Sequence, residues 1–297
     1  MLEKQKIQKL KTYFAKREDI EMAFLFGSRA GKNRVGEHSD WDVAVYFTPE
    51  KKEPLNPANT RFHGIIEWEE QDRQYPAEDR VWSDVMKILN TDEVDLVVLN
   101  RCPANIADSA IRGRPLVIKN KWLYLEFMLL ITRVAESFRQ FVFDYYKISQ
   151  RSHSLSQTDL ERLVRTIDFL EKEMPLYSYF LNFNQKIYED EVLKRHEVEK
   201  WLENILMATI DITKILIGSR KQSIPDTYRQ SVLKAIQLMD LPDNFIENFN
   251  KWVILRNSLV HEYLDIKWKR IKNFIDESEP YFQEFIKKAK EFLSNDE

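Results

Sequence analysis

Apolar residues recur along this chain with two different periods. In the first 120 residues they form short, mostly apolar runs: MAFLFG at 22–27, DVAVYF at 42–47 and VDLVVL at 94–99. Runs of this length bounded by Gly or charge read as buried strands. Between them, 3–16 (with Ile7, Leu10, Tyr13 and Phe14), 78–90 and 104–112 carry helical spacing. Residues 48–76 hold Pro49, Pro54, Pro57 and Pro76 among charges and predict a long irregular excursion. From Trp122 onward the period is helical: 122–148, 157–173, 190–217, 226–239, 244–263 and 266–293. Within 190–217, Trp201, Ile205, Ala208, Ile212 and Ile215 fall within about 80° of each other at about 100° per residue.

Composition sharpens this division. Of 6 glycines among 297 residues, only Gly218 lies beyond Gly113. The first part therefore turns often, and the rest is long helices broken at punctuation points. Two domains are expected. Residues 1–150 form an α/β domain (core 5–118, with 122–148 packing on it or bridging), and 151–297 form an all-α bundle. The polar stretch SQRSHSLSQT is the expected linker. The formal net charge of −3 gives no reason to expect nonspecific DNA binding. A single cysteine, Cys102, excludes a disulfide framework and a cysteine-built zinc or iron–sulfur site. No run approaches the roughly 18 apolar residues of a membrane span. The N-terminus lacks an apolar signal core, so a cytoplasmic location is expected. His38, His63, His153 and His196 have no metal-ligand spacing, and no chemistry is evident for Trp68, Tyr75 and Trp82.

The first group of residues with chemical potential is Gly27-Ser28, then Asp40-Trp41-Asp42, then Asp95. Alternate residues on a strand point the same way, so Asp40 and Asp42 project from one face. Two carboxylates so close repel, which a cation relieves, and magnesium accepts oxygen ligands while leaving positions for phosphate. Asp95 opens another strand and is available as a third carboxylate, a set that suits a two-metal phosphoryl-transfer site. Gly27 lets backbone N–H groups approach a phosphate, Ser28 adds a hydroxyl and Arg29 a guanidinium. Taken alone, Asp-x-Asp also reads as solvated residues at a strand entrance. The full order of strand, Gly-Ser, Asp-x-Asp, strand, Asp and strand is far more specific.

FLFGSRAGKNRVGEHSDWDVAVYF followed by EVDLVVLN resembles the minimal nucleotidyltransferases of the polymerase-β-like superfamily, over about residues 5–118. That resemblance implies magnesium-dependent transfer of AMP from ATP, with two metal ions. Gly27, Ser28 and Arg29 would hold the triphosphate. Asp40 and Asp42 would bind metal, and Asp95 would bind metal and help activate the acceptor. The 48–76 excursion is longer than a minimal domain needs.

The second group lies in FNKWVILRNSLVHEYL. On a helical wheel centred on Arg256, Phe245, Phe249, Trp252, Val253, Leu259 and Val260 fall within about 60° on either side, so Arg256 sits mid-stripe. Asn257 and His261 line the adjacent edge, and Tyr263 lies almost beneath Arg256. Two readings stay open on the residues alone. In one, Arg256 pairs with a core-edge acid such as Asp211, His261 is a core histidine and Tyr263 is packing. In the other, Arg256 stabilises developing negative charge and His261 transfers a proton, as in phosphodiester cleavage.

RNSLVHEY is similar to the R-x4-H-x-Y signature of HEPN domains, and RHEVEKWLENILMATIDITKILI is similar to their central helix, over about 158–295. The resemblance implies a ribonuclease site across a symmetric dimer, with Arg256 and His261 catalytic and Asn257 a polar helper. In related pairs the nucleotidyltransferase acts as antitoxin, adding AMP to the tyrosine of this motif and silencing the ribonuclease. The expectation is a single-chain protein of toxin–antitoxin type, modified at Tyr263, with ATP, RNA and a second copy as partners. The competing expectation is a small-molecule adenylyltransferase of the aminoglycoside-modifying sort, with a structural helical domain. A third is a non-catalytic scaffold.

Overall fold

The two periods in the sequence correspond to two bodies of different construction. The computed structural model describes residues 2–30, 40–49, 66–68, 74–150, 155–261 and 268–294. The three apolar runs are strands β1 (Ile20–Phe26), β2 (Trp41–Phe47) and β3 (Val94–Val98). A fourth strand, β4 (Arg114–Ile118), completes a sheet in the order β3-β2-β1-β4. Strand β1 pairs antiparallel with β2 and β4, while β2 and β3 are parallel. The apolar-run signal passes over β4, which has five residues and contains Pro115. At a sheet edge such a proline costs no ladder hydrogen bond on its open side.

β1 and β2 are apolar at almost every position because both faces of the sheet are covered. Met22, Phe24, Phe26, Ala44 and Tyr46 face helix α3 (Ala104–Ile111) and the first half of helix α4 (Lys121–Ser149). Ala23, Leu25, Val43, Val45 and Phe47 face α1 (Leu2–Lys16) and α2 (Glu78–Leu89). A register shift between Ile20 and Met22 lets Ile20 join the same face as Ala23. The three aromatics left without chemistry have packing roles. Trp68 Nε1 donates to the Cys102 carbonyl at 3.0 Å and Trp82 Nε1 to the Val94 carbonyl at 2.8 Å. Tyr75 stacks on Phe47 with ring centroids 5.0 Å apart. Tyr75 thereby ties the described end of the excursion to β2.

The second body is helical. It contains α5 (Gln157–Glu173), α6 (Leu176–Phe180), α7 (Gln185–Asp190), α8 (Val192–Ser219), α9 (Tyr228–Leu238), α10 (Asn244–His261), α11 (Trp268–Glu277) and α12 (Glu279–Ser294). Side chains of Ser156, Asn184 and Thr227 cap the starts of α5, α7 and α9 by accepting backbone N–H bonds. The single helix expected over 266–293 is two. Ser278 is fully buried between them, bonded to the Phe274 carbonyl and to the Tyr177 hydroxyl at 2.6 Å each. Pro280 lacks the N–H that would continue α11. Aromatics of α10, α11 and α12 meet in the core, among them Phe249, Trp252, Phe274, Phe282 and Phe285. By chain contacts the bodies are Met1–Ala135 and Glu136–Glu297, a division that falls inside α4. Among the described residues, no helix is long and apolar enough to cross a membrane.

Candidate active sites on the sheet rim and in the bundle

The first candidate site is built by strand register. Phe26 and Asp42 are partners in the β1–β2 ladder, and Asp42 and Asp95 are partners in the β2–β3 ladder. Adjacent strands lie about 4.8 Å apart, so backbone pairing alone brings Asp42 and Asp95 side by side. Alternation puts Asp42 on the face of Ala44 and Tyr46, and Asp95 on the face of Val97 and Leu99, which is the same face. Asp40 is exposed immediately before β2. Burial first, then the charges of Asp95 and Asp40, push the Asp42 carboxyl above the ordinary carboxylate range.

Gly27 ends β1 and opens a 3-10 turn, Gly27–Ala30. Its φ is +65°, a conformation side chains resist. A Cβ there would lie 1.9 Å from Asp42 Oδ2 and 2.7 Å from its Cγ. The carboxylate of Asp42 therefore sits directly against the Gly27 backbone, and a side chain there would be strained by its φ and would displace the carboxylate. Ser28 is exposed beside it. Arg29 holds its guanidinium 4.8 Å from the centroid of the Trp41 ring, so it is braced on the buried residue between the two acids. Sequence reading passed over Trp41, although an aromatic between two acids two positions apart must point to the other face of the sheet.

The donor chemistry here fits a hard divalent cation: three carboxylates at neighbouring positions, one held above its ordinary pKa by burial and then by the other two. Among the described residues, no three His, Cys, Asp or Glu side chains are gathered into a preformed metal cluster.

The second candidate site lies on α10. Arg256 is only 3% exposed, within the stripe of Phe249, Trp252, Val253 and Leu255. Its Nε donates to Met207 Sδ at 3.2 Å and its Nη2 to Ser137 Oγ at 3.2 Å. Its guanidinium carbon is 5.0 Å from the centroid of the Tyr228 ring. Asp211 is held by Lys214 at 2.8 Å and by Arg162 at 3.4 Å. Met207 also lines a cleft of about 540 Å³ between α5 and α8, with Arg162, Arg165, Asn204 and Asp211. Asn257 and His261 belong to the α10 backbone, while their side chains lie outside the described residues, as does all of Tyr263.

Comparison with known families agrees with this division. Residues 8–122 match the family model for polymerase beta nucleotidyltransferases, and residues 157–289 match the model for HepT-like ribonucleases. No curated protein matches the chain. The protein is a fusion of a polymerase-beta-type nucleotidyltransferase domain with a HepT-like domain of the HEPN class.

Proposed function

We propose that the first domain transfers AMP from ATP to Tyr263 of the second, and that this silences ribonuclease activity at Arg256 and His261. The observation that carries the reading is the seat of the Asp42 carboxylate on Gly27, in register with Asp95 and next to Asp40. That seat brings a phosphate-approachable backbone and a cation-demanding carboxylate group to one rim. Asp40, Asp42 and Asp95 would hold magnesium, which when bound supplies positive charge against the triphosphate.

In this reading the backbone at Gly27 and the hydroxyl of Ser28 bind phosphate oxygens, and Arg29, braced on Trp41, adds charge. The Tyr263 phenol oxygen bonds to the α-phosphorus, the bond from that phosphorus to the bridging oxygen breaks, and pyrophosphate leaves. The phenolic proton passes to Asp95. Because target and enzyme share a chain, the acceptor is present at high effective concentration. Adenylylation places bulk and negative charge near Arg256 and His261, which excludes an RNA phosphate. The unmodified helical domain cleaves RNA as a homodimer, with Asn257 assisting, and the protein works as a one-chain toxin and antitoxin in the cytoplasm.

Incubation with ATP labelled on its α-phosphate tests this. Label is expected on the intact chain with magnesium, and none on Asp42→Asn or Tyr263→Phe. Label that passes to an added small molecule and never to the chain would overturn the reading and favour a small-molecule adenylyltransferase. Equal RNA cleavage by the unmodified protein and its His261→Ala version would overturn the ribonuclease half.

A further inference from the structure

The geometry points to Ser137, Met207 and Tyr228 as positioning residues for Arg256: a cradle of two hydrogen-bond acceptors and one ring, drawn from three other helices, that fixes the guanidinium for RNA cleavage. This inference rests on the ribonuclease reading of Arg256. A guanidinium is planar, with donors at fixed angles in its plane. The Nε bond to Met207 and the Nη2 bond to Ser137 leave from different nitrogens, so together they set its in-plane rotation. The Tyr228 ring, 5.0 Å from the guanidinium carbon, limits the remaining tilt.

The cradle is itself held. Ser137 Oγ lies 2.8 Å from the Tyr228 hydroxyl. The Tyr228 ring packs edge-on against Phe138 and Phe141, at 5.2 and 5.4 Å. These partners come from α4, α8 and α9, so the orientation of an α10 side chain is set by tertiary packing. All three are uncharged groups, and together they orient the plane of the guanidinium. Ser137 lies before residue 157, where the HepT-like match begins, and 119 residues from Arg256. It therefore belongs to the fused chain rather than to the matched family segment.

The test uses the full chain carrying Asp42→Ala, so that self-modification cannot mask the ribonuclease, and a pool of total RNA. Single-turnover cleavage and RNA affinity are measured with Ser137→Ala, Ser137→Thr, Met207→Leu and Tyr228→Phe added singly. Ser137→Ala is expected to lower the cleavage rate about tenfold, the loss of one hydrogen bond to a charged group, with affinity within about twofold. Ser137→Thr keeps the hydroxyl and is expected to restore the rate. Met207→Leu keeps the volume and removes the Nε acceptor, so it is expected to slow cleavage without unfolding the chain. The Arg256 Nε–H resonance, identified by its loss in Arg256→Lys, is expected to move and exchange faster with water in Met207→Leu. Cleavage and resonance that Ser137→Ala and Met207→Leu leave unchanged overturn the cradle and spare the ribonuclease reading. No cleavage by any version, including the one with the cradle intact, overturns both.

Discussion

The two candidate sites solve opposite electrostatic problems. On the sheet rim, like charges are forced together: register places Asp42 beside Asp95, and Asp40 adds a third charge. In the bundle, one positive charge is taken out of water and set among a thioether, a hydroxyl and a ring. In the first, burial and two neighbouring acids disfavour the charged form of one carboxyl. In the second, contacts from three other helices orient a buried guanidinium. The comparison teaches where each geometry is stored. The rim site is written in the backbone ladder and one glycine, while the arginine site is written in side-chain packing from four helices.

Several changes break or sharpen this contrast, and the largest effect falls at the rim. Asp42→Asn is expected to reduce nucleotidyl transfer by about a thousandfold or more, since it removes a carboxylate of the proposed metal site. The same change should raise the melting temperature at neutral pH. The folded-state pKa of Asp42 lies above its unfolded value, so in the window between them the native state binds more protons. Stability from this group is therefore lost as pH rises through that window, and a neutral amide avoids the loss. A melting temperature that falls at pH 7 and does not recover at low pH would show that the three acids are not in conflict.

Phe249→Ala comes next. Phe249 is 1% exposed and packs against Trp252, Phe282 and Phe285. Its removal should destabilise the helical body by about 3–5 kcal/mol, read in denaturant melts, while ATP binding to the first domain persists. Loss of ATP binding together with helical stability would show that the two bodies do not fold separately. Gly27→Ala follows, with about 1–3 kcal/mol from the positive φ and the Asp42 carboxylate in its path. ATP affinity is expected to fall with it, and an unchanged affinity would remove Gly27 from the phosphate site.

The smallest effect is a shift in titration. Asp95→Asn removes one of the charges that raise the Asp42 pKa, so the carbon-13 titration of the Asp42 carboxyl should move to lower pH. It should stop short of the ordinary carboxylate range, because burial is the larger cause. No movement would separate Asp95 from Asp42.

Period-two alternation placed Asp42 on the face of Ala44 and Tyr46, and the 3.6-residue period placed Arg256 mid-stripe. These are local properties. The pairing of Asp42 with Asp95 depends on which strands neighbour each other, which no local pattern contains. β4 escaped because Pro115 argues against a strand unless it is known to be an edge. α6 and α7 escaped because one or two turns carry too little periodicity to read. The point where α4 passes from one core to the other, between Ala135 and Phe138, has no punctuation, since both cores ask only for apolar residues at helical spacing. The brace of Arg29 on Trp41 needed the fold. Ser137, 119 residues before Arg256, could not be connected to it by any spacing rule.

Self-modification of one half of this chain by the other is the step on which the proposed function turns. Intact mass of the purified protein after incubation with ATP and magnesium tests it most directly. The expected result is a gain of one adenylyl group on the unaltered chain, located on Tyr263 by peptide mapping and absent from Asp42→Asn and Tyr263→Phe. An unaltered chain that gains no mass after any adenylyl group already present has been removed, or that gains it equally in Tyr263→Phe, contradicts the claim.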